Sequence, residues 1–186
     1  MNWTIPGTVL EASLEESSQI CQQLQSMFLG GGMVLSQVCA VTGLEPYTVQ
    51  NWVKRGFLTP PQNKRYTLRQ LCRIININML KGVLPLERIC GLLGYVNGQL
   101  NDESDDLIDD SELYILFVRL AASHRKTGSA EQREAFMKEL LDSYQEPRPG
   151  SRQRVEKVLR IMLTAWAASQ LRQATEKMLT ELEEET

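Results

Sequence analysis

Between residues 35 and 58, glycines and a proline divide the chain into two short helical segments, and this division constrains the fold more than any other feature. A first helix, capped by Ser36, is predicted to end at Gly43, which supplies a left-handed residue. Pro46 suits the first turn of a second helix, and Gly56 is expected to end it. Two short helices joined by a tight turn at a glycine predict a helix-turn-helix.

The second helix is predicted to have one apolar and one polar face. Val49, Trp52 and Val53 share the inward face at helical spacing. The outward face has the chemistry of major-groove recognition, because glutamine and asparagine can pair with adenine and lysine can reach guanine or phosphate. A polar face that is merely solvated is the simpler alternative. The residues of this helix predicted to contact DNA are Tyr47, Thr48, Gln50, Asn51, Lys54 and Arg55.

Residues 59–66 predict a short β wing, since two prolines are followed by two adjacent cations and an aromatic residue. Cations on a wing would make charge-assisted contacts to the DNA backbone. The predicted wing contacts are Lys64, Arg65 and Tyr66. Thr67 is expected to cap the next helix, which would carry Arg69 and Arg73 on its outer side.

Residues 35–58 (LSQVCAVTGLEPYTVQNWVKRGFL) resemble the opening of a MerR-type winged helix-turn-helix domain. The glycines, the proline, Thr48 and Trp52 fall at matching positions without a gap, and the likeness extends over residues 34–94. The whole chain also resembles a bacterial family of unknown function whose members are regarded as MerR-like regulators. The resemblance implies DNA binding as a homodimer, with the second helix and the wing as contacts.

The chain departs from the MerR pattern in three respects. Gln50 stands where the family usually has arginine, and Val53 where it usually has an acid. The wing is short. MerR proteins run from the winged domain directly into a long dimerisation helix, whereas here an acidic segment and two further helical patterns intervene. The family's detailed base contacts and its promoter-twisting activation therefore do not transfer to this chain.

The net charge of −3 averages over unlike segments. Residues 36–94 carry eight bases and two acids, which gives +6, whereas residues 101–112 carry seven acids and no base. A basic module suits a phosphate backbone. The acidic segment predicts a linker that is either a flexible spacer or an intramolecular mimic of DNA, and the spacer is the simpler interpretation.

The C-terminal part predicts a helical bundle that ends in one long helix beginning at Ser151. Its apolar stripe departs from a strict heptad after Trp166, so a bundle shared between two subunits is favoured over a long two-stranded coiled coil. The residues predicted for the bundle core or dimer interface are Leu159, Met162, Trp166 and Leu171. Four aromatic residues either line a pocket for a small-molecule effector or simply pack in the core: Phe117, Phe136, Tyr144 and Trp166.

The predicted class is therefore all-α, with at most a small β wing. Four parts are expected: an N-terminal helix and glycine hinge (1–33), the MerR-like winged helix-turn-helix domain (34–94), the acidic linker (95–111) and a helical dimerisation or effector domain (112–186).

No catalytic, metal or cofactor site is predicted. The four cysteines are isolated from one another, a single histidine accompanies them, and no phosphate-binding loop or activated nucleophile is evident. No apolar run approaches the roughly 18 residues that span a bilayer, and the start lacks a signal peptide, so we expect a cytoplasmic protein.

Two functional hypotheses follow. The leading one is a homodimeric transcriptional regulator that binds specific double-stranded DNA, with the second helix in the major groove. The alternative is a protein–protein interaction adaptor that keeps the winged-helix fold without binding DNA and docks through Trp3 and the N-terminal helix. An enzyme is the weakest interpretation.

Overall fold

The computed structural model describes residues 2–16, 19–126 and 129–185, and it confirms a mostly helical fold. The helices are α1 (Ile20–Ser26), α2 (Leu35–Thr42), α3 (Pro46–Lys54), α4 (Leu68–Leu80), α5 (Leu86–Asn97), α6 (Asp110–Lys126), α7 (Ala130–Asp142) and α8 (Ser151–Glu184). Two small antiparallel sheets pair β1 (Asn2–Thr4) with β2 (Glu11–Ser13) and β3 (Met33–Val34) with β4 (Arg65–Tyr66).

The N-terminal segment is not the continuous helix that its apolar spacing predicts. It forms the β1–β2 hairpin and a 3-10 turn, and α1 has only seven residues. The backbone groups at the predicted helix start have other partners: Val9 N donates to Val41 O at 3.0 Å, and Leu10 N donates to the Thr8 hydroxyl at 3.1 Å. One bond to a distant residue and one local turn bond thus replace helical hydrogen bonds in a stretch too short to hold a helix by itself.

Short helices α2 and α3 are joined by residues 43–45, as the glycine and proline positions predict. Gly43 ends α2 with a φ of 67°, and Pro46 is the first residue of α3. The predicted cap at Ser36 is wrong. Helix α2 begins at Leu35, with Val34 as the capping residue two positions before Ser36, and the Gln37 side chain accepts a hydrogen bond from Val34 N at 3.0 Å.

Helix α4 lies at the centre of the molecule and packs against α2, α5, α6 and α8. Residues 70–77 are all buried. The predicted cap at Thr67 is confirmed: its hydroxyl accepts from Gln70 N at 3.2 Å, and the Gln70 side chain accepts from Thr67 N at 2.9 Å. The apolar residues of segments 34–94 and 112–186 therefore share one core around α4.

The acidic segment between α5 and α6 lies against α4 rather than forming a flexible spacer. The Arg69 guanidinium is 2.6 Å from Asp106, and Arg73 is 3.3 Å from the buried Asp110. Arg69 and Arg73 were predicted to face outward. That prediction is wrong for Arg73, which is buried, and only partly right for Arg69, which is half-buried. The sequence pattern of α4 could not show this, because each arginine pairs with an aspartate 37 residues further along the chain.

Helix α8 has 34 residues, which corresponds to a length of about 50 Å. Its first half packs on the body, where Leu159, Met162 and Trp166 are buried as predicted. The prediction that Leu171 is buried is wrong for the single chain, since its side chain is 72% exposed. Five residues rotate a helix by about 140°, so Leu171 faces away from the surface that buries Trp166. Within the described residues, no helix combines the length and apolar character that crossing a bilayer requires.

Candidate nucleic-acid interface

Helix α3 exposes its polar side chains because its apolar ones are anchored in the core. Val49 and Trp52 are buried, in agreement with the predicted inward face. The helix turns its opposite side to solvent, and the exposed residues there are Tyr47, Gln50, Asn51 and Lys54. Four side chains suited to base or phosphate contact thus share one accessible helix face.

The wing is a tight hairpin turn that presents Lys64. Arg65 N donates to Gln62 O at 2.8 Å, and the two central residues both have positive φ, 48° at Asn63 and 61° at Lys64. Positive φ at both positions is characteristic of a type I′ turn, which asparagine tolerates well. Lysine adopts this conformation uncommonly. Lys64 is exposed at the tip of the turn.

The glycine run that precedes β3 supports the wing. The Arg65 guanidinium donates to Gly32 O at 2.9 Å, and a Cβ on Gly32 would lie only 2.9 Å from Tyr66 O. The chain can therefore approach β4 this closely only with glycine at position 32. The predicted contact from Tyr66 is wrong, because its side chain packs in the core and is 3% exposed.

Two α4 residues hold the segment that leads into the wing, and sequence reasoning missed both roles. The Gln70 amide nitrogen donates to Thr59 O at 3.0 Å and to Pro60 O at 3.1 Å. The Arg73 Nε donates to Phe57 O at 3.0 Å. Thr59 and Pro60 at the start of the wing segment, and Phe57 in the turn after α3, are thus fixed to the central helix.

Ion pairing reduces the positive charge available to a partner. Three of the eight cations in residues 36–94 pair with carboxylates: Arg55 with Glu87, Arg69 with the acidic segment, and Arg73 with Asp110. Arg55 also lies 4.6 Å from the centre of the Phe57 ring, so its predicted role as a DNA contact competes with two intramolecular partners. Thr48 is half-buried.

The exposed cations of α3 and the wing that remain are Lys54, Lys64 and Arg65, and none of them forms an ion pair with a described carboxylate. Gln50 and Lys64 line the same groove, of about 590 Å³, between α2, α3 and the wing. The structure thus brings Gln50 of α3 and Lys64 of the wing onto one groove, whereas the half-buried Thr48, the ion-paired Arg55 and the buried Tyr66 are less available than predicted. We call the exposed α3 residues Tyr47, Gln50, Asn51 and Lys54, with Lys64 and Arg65, the α3–wing face.

Behind this face lies a buried ion pair that fixes α4 to α6. Burial raises the pKa of the Asp110 carboxyl from its ordinary value of 3.8 to about 6, and the neighbouring Arg73 only partly opposes the shift. Asn76 adds a long hydrogen bond of 3.5 Å to Asp110 O. Desolvation of the carboxylate outweighs its attraction to the guanidinium here.

Comparison with known proteins gives two matches. Residues 32–117 match the model of a family described as a domain of unknown function (DUF1836). The uncharacterized protein YkrK of Bacillus subtilis (strain 168) is 29% identical over 104 residues, which cover 53% of this chain and 45% of that protein. The chain thus spans less than half the length of this relative. No solved structure matches significantly. The likeness to bacterial proteins of unknown function agrees with the resemblance seen in the sequence.

Proposed function

We propose that the protein is a homodimeric, sequence-specific DNA-binding regulator of transcription. The observation that carries the proposal is the α3–wing face, where Gln50 of the exposed polar helix face and Lys64 of the wing line one groove. Gln50 and Asn51 contact base edges, and Lys54, Lys64 and Arg65 contact phosphates. The carboxylates of Asp106 and Asp110 neutralise Arg69 and Arg73 behind this face, so these two arginines add little positive charge beside α3 and the wing.

The small number of available cations makes a quantitative expectation possible. Three phosphate contacts from each subunit give six in a dimer, and each neutralised phosphate contributes about 0.9 to the slope of log K against log salt. The expected slope is therefore about −5 for the dimer. Counting all eight cations of the module would predict a much steeper dependence.

The second subunit is proposed to join through the exposed half of α8. Leu171, Met178 and Leu182 follow one another at intervals of seven and four residues, and they are 72%, 67% and 61% exposed. This is the spacing of a coiled-coil seam, with Thr175 completing it. A second copy packed there by two-fold symmetry buries the seam and supplies the second half-site contact that a single recognition helix needs.

Selection of bound duplexes from a random pool, followed by binding titrations at several salt concentrations, tests the proposal. We expect a palindromic site, the signature of a two-fold dimer. The double variant Lys64→Ala/Arg65→Ala should reduce the magnitude of the dimer's salt slope by about 3.6. The matched control Lys138→Ala/Lys157→Ala removes two exposed cations from α7 and α8 and should leave it unchanged.

Changes at Gln50 or Asn51 test base recognition separately. Alanine at either position should alter the selected sequence and leave the salt slope within error, because neither side chain is charged. The absence of any duplex binding at 50 mM salt would refute DNA binding. A salt slope equal in the wing variant and its control would refute the assigned surface.

An adaptor is the second candidate, and the groove beside α3 favours it. Val34, Leu35, Val53 and Pro61 give this groove an apolar lining that could accept a partner's side chains. Trp3 is buried, so the docking segment expected at the N-terminus is not accessible. A protein partner that is retained after nuclease treatment, and equally by the Lys64→Ala/Arg65→Ala variant, would favour the adaptor over the regulator.

A further inference from the structure

We propose that a second site, remote in sequence from the α3–wing face, binds a small molecule carrying two or more anionic groups. The site is a cavity of about 550 Å³ between the β1–β2 hairpin, the C-terminal end of α4 and the middle of α8. This volume lies within the range of known small-molecule sites, roughly 300–1,000 Å³. We call it the hairpin cavity. Its proposed role does not depend on DNA binding.

Three cations from three different elements line the hairpin cavity. Lys81 follows α4, Arg125 belongs to the last turn of α6, and Arg172 lies in the middle of α8. None of the described residues that line the cavity is an aspartate or a glutamate. Arg172 pairs with Glu176, whose carboxylate is 3.7 Å away and exposed, and Glu176 does not line the cavity.

Helix dipoles account for only part of this cluster. Lys81 and Arg125 lie at helix C-termini, where a cation offsets the partial negative charge of the last carbonyls. Arg172 has no such partner, because it lies in the interior of α8. Its guanidinium extends over the turn after α4, where a Cβ on Gly82 would be 3.3 Å away. Neighbouring groups partly desolvate the Lys81 ammonium and so lower its pKa, although the residue as a whole is exposed.

An unsatisfied donor points independently to a ligand. Trp3 lines the cavity and is 3% exposed, and its indole nitrogen is buried without a hydrogen-bond partner among the described residues. A buried N–H without an acceptor destabilises the fold, and an anion that reaches this nitrogen on binding would supply the acceptor. Arg125 lies 5.9 Å from the centre of the Trp3 ring, which places a cation on the same wall.

The cavity wall is held in place before any ligand binds. The Asn78 amide donates to Gly7 O at 2.9 Å and to Thr42 O at 2.8 Å, and the Tyr114 hydroxyl donates to Pro6 O at 2.8 Å. A Cβ on Gly7 would lie 2.6 Å from Ile75 O, so the hairpin turn packs directly on α4. A preformed site loses little conformational entropy on binding.

Isothermal titration calorimetry on the full chain tests the proposal with two probes at matched ionic strength. Inorganic pyrophosphate represents phosphorylated ligands, and citrate represents polycarboxylates. We expect one of them to bind with one site per chain and to change the tryptophan fluorescence, because Trp3 and Trp166 line the cavity. Lys81→Gln and Arg172→Gln should each weaken this binding about tenfold or more, as loss of a charge-assisted bond does.

Lys157→Gln is the matched control, since it removes an exposed cation from α8, the helix that carries Arg172, at a position outside the cavity. It should change the affinity by less than about twofold. Lys81 and Arg172 are themselves exposed, so their variants are expected to fold, and circular dichroism checks this. Two results would overturn the proposal: no binding of either probe at 5 mM, or equal weakening by the control. Loss of DNA binding in the cavity variants without any probe binding would instead assign these cations to nucleic acid.

Discussion

Replacing Lys64 with glycine separates the backbone conformation of the wing from its charge. Lys64 has a φ of 61°, which a side chain makes unfavourable by about 1–2 kcal/mol relative to glycine. Against this, glycine lowers the free energy of unfolding by about 0.4–1 kcal/mol, because it has greater conformational freedom in the unfolded chain. The two terms together predict that Lys64→Gly leaves the free energy of unfolding unchanged or raises it by up to about 1.5 kcal/mol.

The same substitution removes one proposed phosphate contact from each subunit. The magnitude of the salt slope of DNA binding should therefore fall by about 1.8 for a dimer. Asn63→Gly is the control, because residue 63 has a φ of 48° in the same turn and carries no charge. It should raise the free energy of unfolding less than Lys64→Gly does, because asparagine tolerates positive φ better than lysine, and it should match the wild type in salt slope.

Urea unfolding monitored by circular dichroism measures the stability, and fluorescence anisotropy at four or more salt concentrations measures the slope. A loss of more than about 1 kcal/mol in Lys64→Gly would contradict the strain argument, since lysine would then contribute a native contact absent from the structure. Equal slopes in the two glycine variants would show that Lys64 does not face a phosphate.

Three further changes test other parts of the structure. Gly32→Ala should lower the free energy of unfolding by about 2 kcal/mol or more, since φ at Gly32 is 94° and the new Cβ would be 2.9 Å from Tyr66 O. Gly30→Ala is the control: a Cβ there would have nothing within 4 Å, so the free energy of unfolding should change little in the same urea assay. Asp110→Asn tests the raised pKa of the Asp110 carboxyl, because between pH 4 and pH 6 the native carboxyl holds a proton that the unfolded one releases. The free energy of unfolding of the wild type, relative to that of the variant, should therefore fall by on the order of 3 kcal/mol from pH 4 to pH 7. A difference that stays constant with pH would falsify the assignment. Met178→Glu should dissociate the dimer in sedimentation experiments, because it places a charge in the proposed α8 seam. Thr180→Glu lies off the seam and should leave the dimer intact. Dissociation by both variants would argue against the seam.

Local signals in the sequence predicted the helix boundaries that depend on single residues. Gly43, Pro46 and Thr67 act on the backbone within one turn, so their effects are visible without knowledge of the fold. The polar face of α3 was equally predictable, because the spacing of Val49 and Trp52 sets which side is buried.

The residues whose roles were missed depend on contacts between distant parts of the chain. Tyr66 follows two cations and reads as a surface residue, yet β4 alternates its side chains and turns this one into the core. Arg73 reads as the outer face of a helix, and only the fold brings Asp110 beside it. The hairpin cavity depends on three segments that are distant in sequence, so no local motif marks it.

The drift in the apolar pattern of α8 has a structural explanation. Two stripes follow one another on different sides of one helix: the first, ending near Trp166, packs on the body, and the second, from Leu171, faces solvent. The spacing of apolar residues in the sequence shows that the stripe changes face. It does not show that the chain itself covers the first stripe and leaves the second exposed.

The outer half of α8 has a consequence for hydrogen exchange. Residues 171–185 are all exposed, and only Arg172 and Gln173, at the start of this segment, line the hairpin cavity. A helix of that length with so few tertiary contacts is only marginally stable in water. Its amide protons should therefore exchange rapidly in dilute protein and slowly at concentrations where two chains associate. The order of these last four turns is then set by protein concentration, and the protected length of α8 reports directly on how much of the protein is assembled.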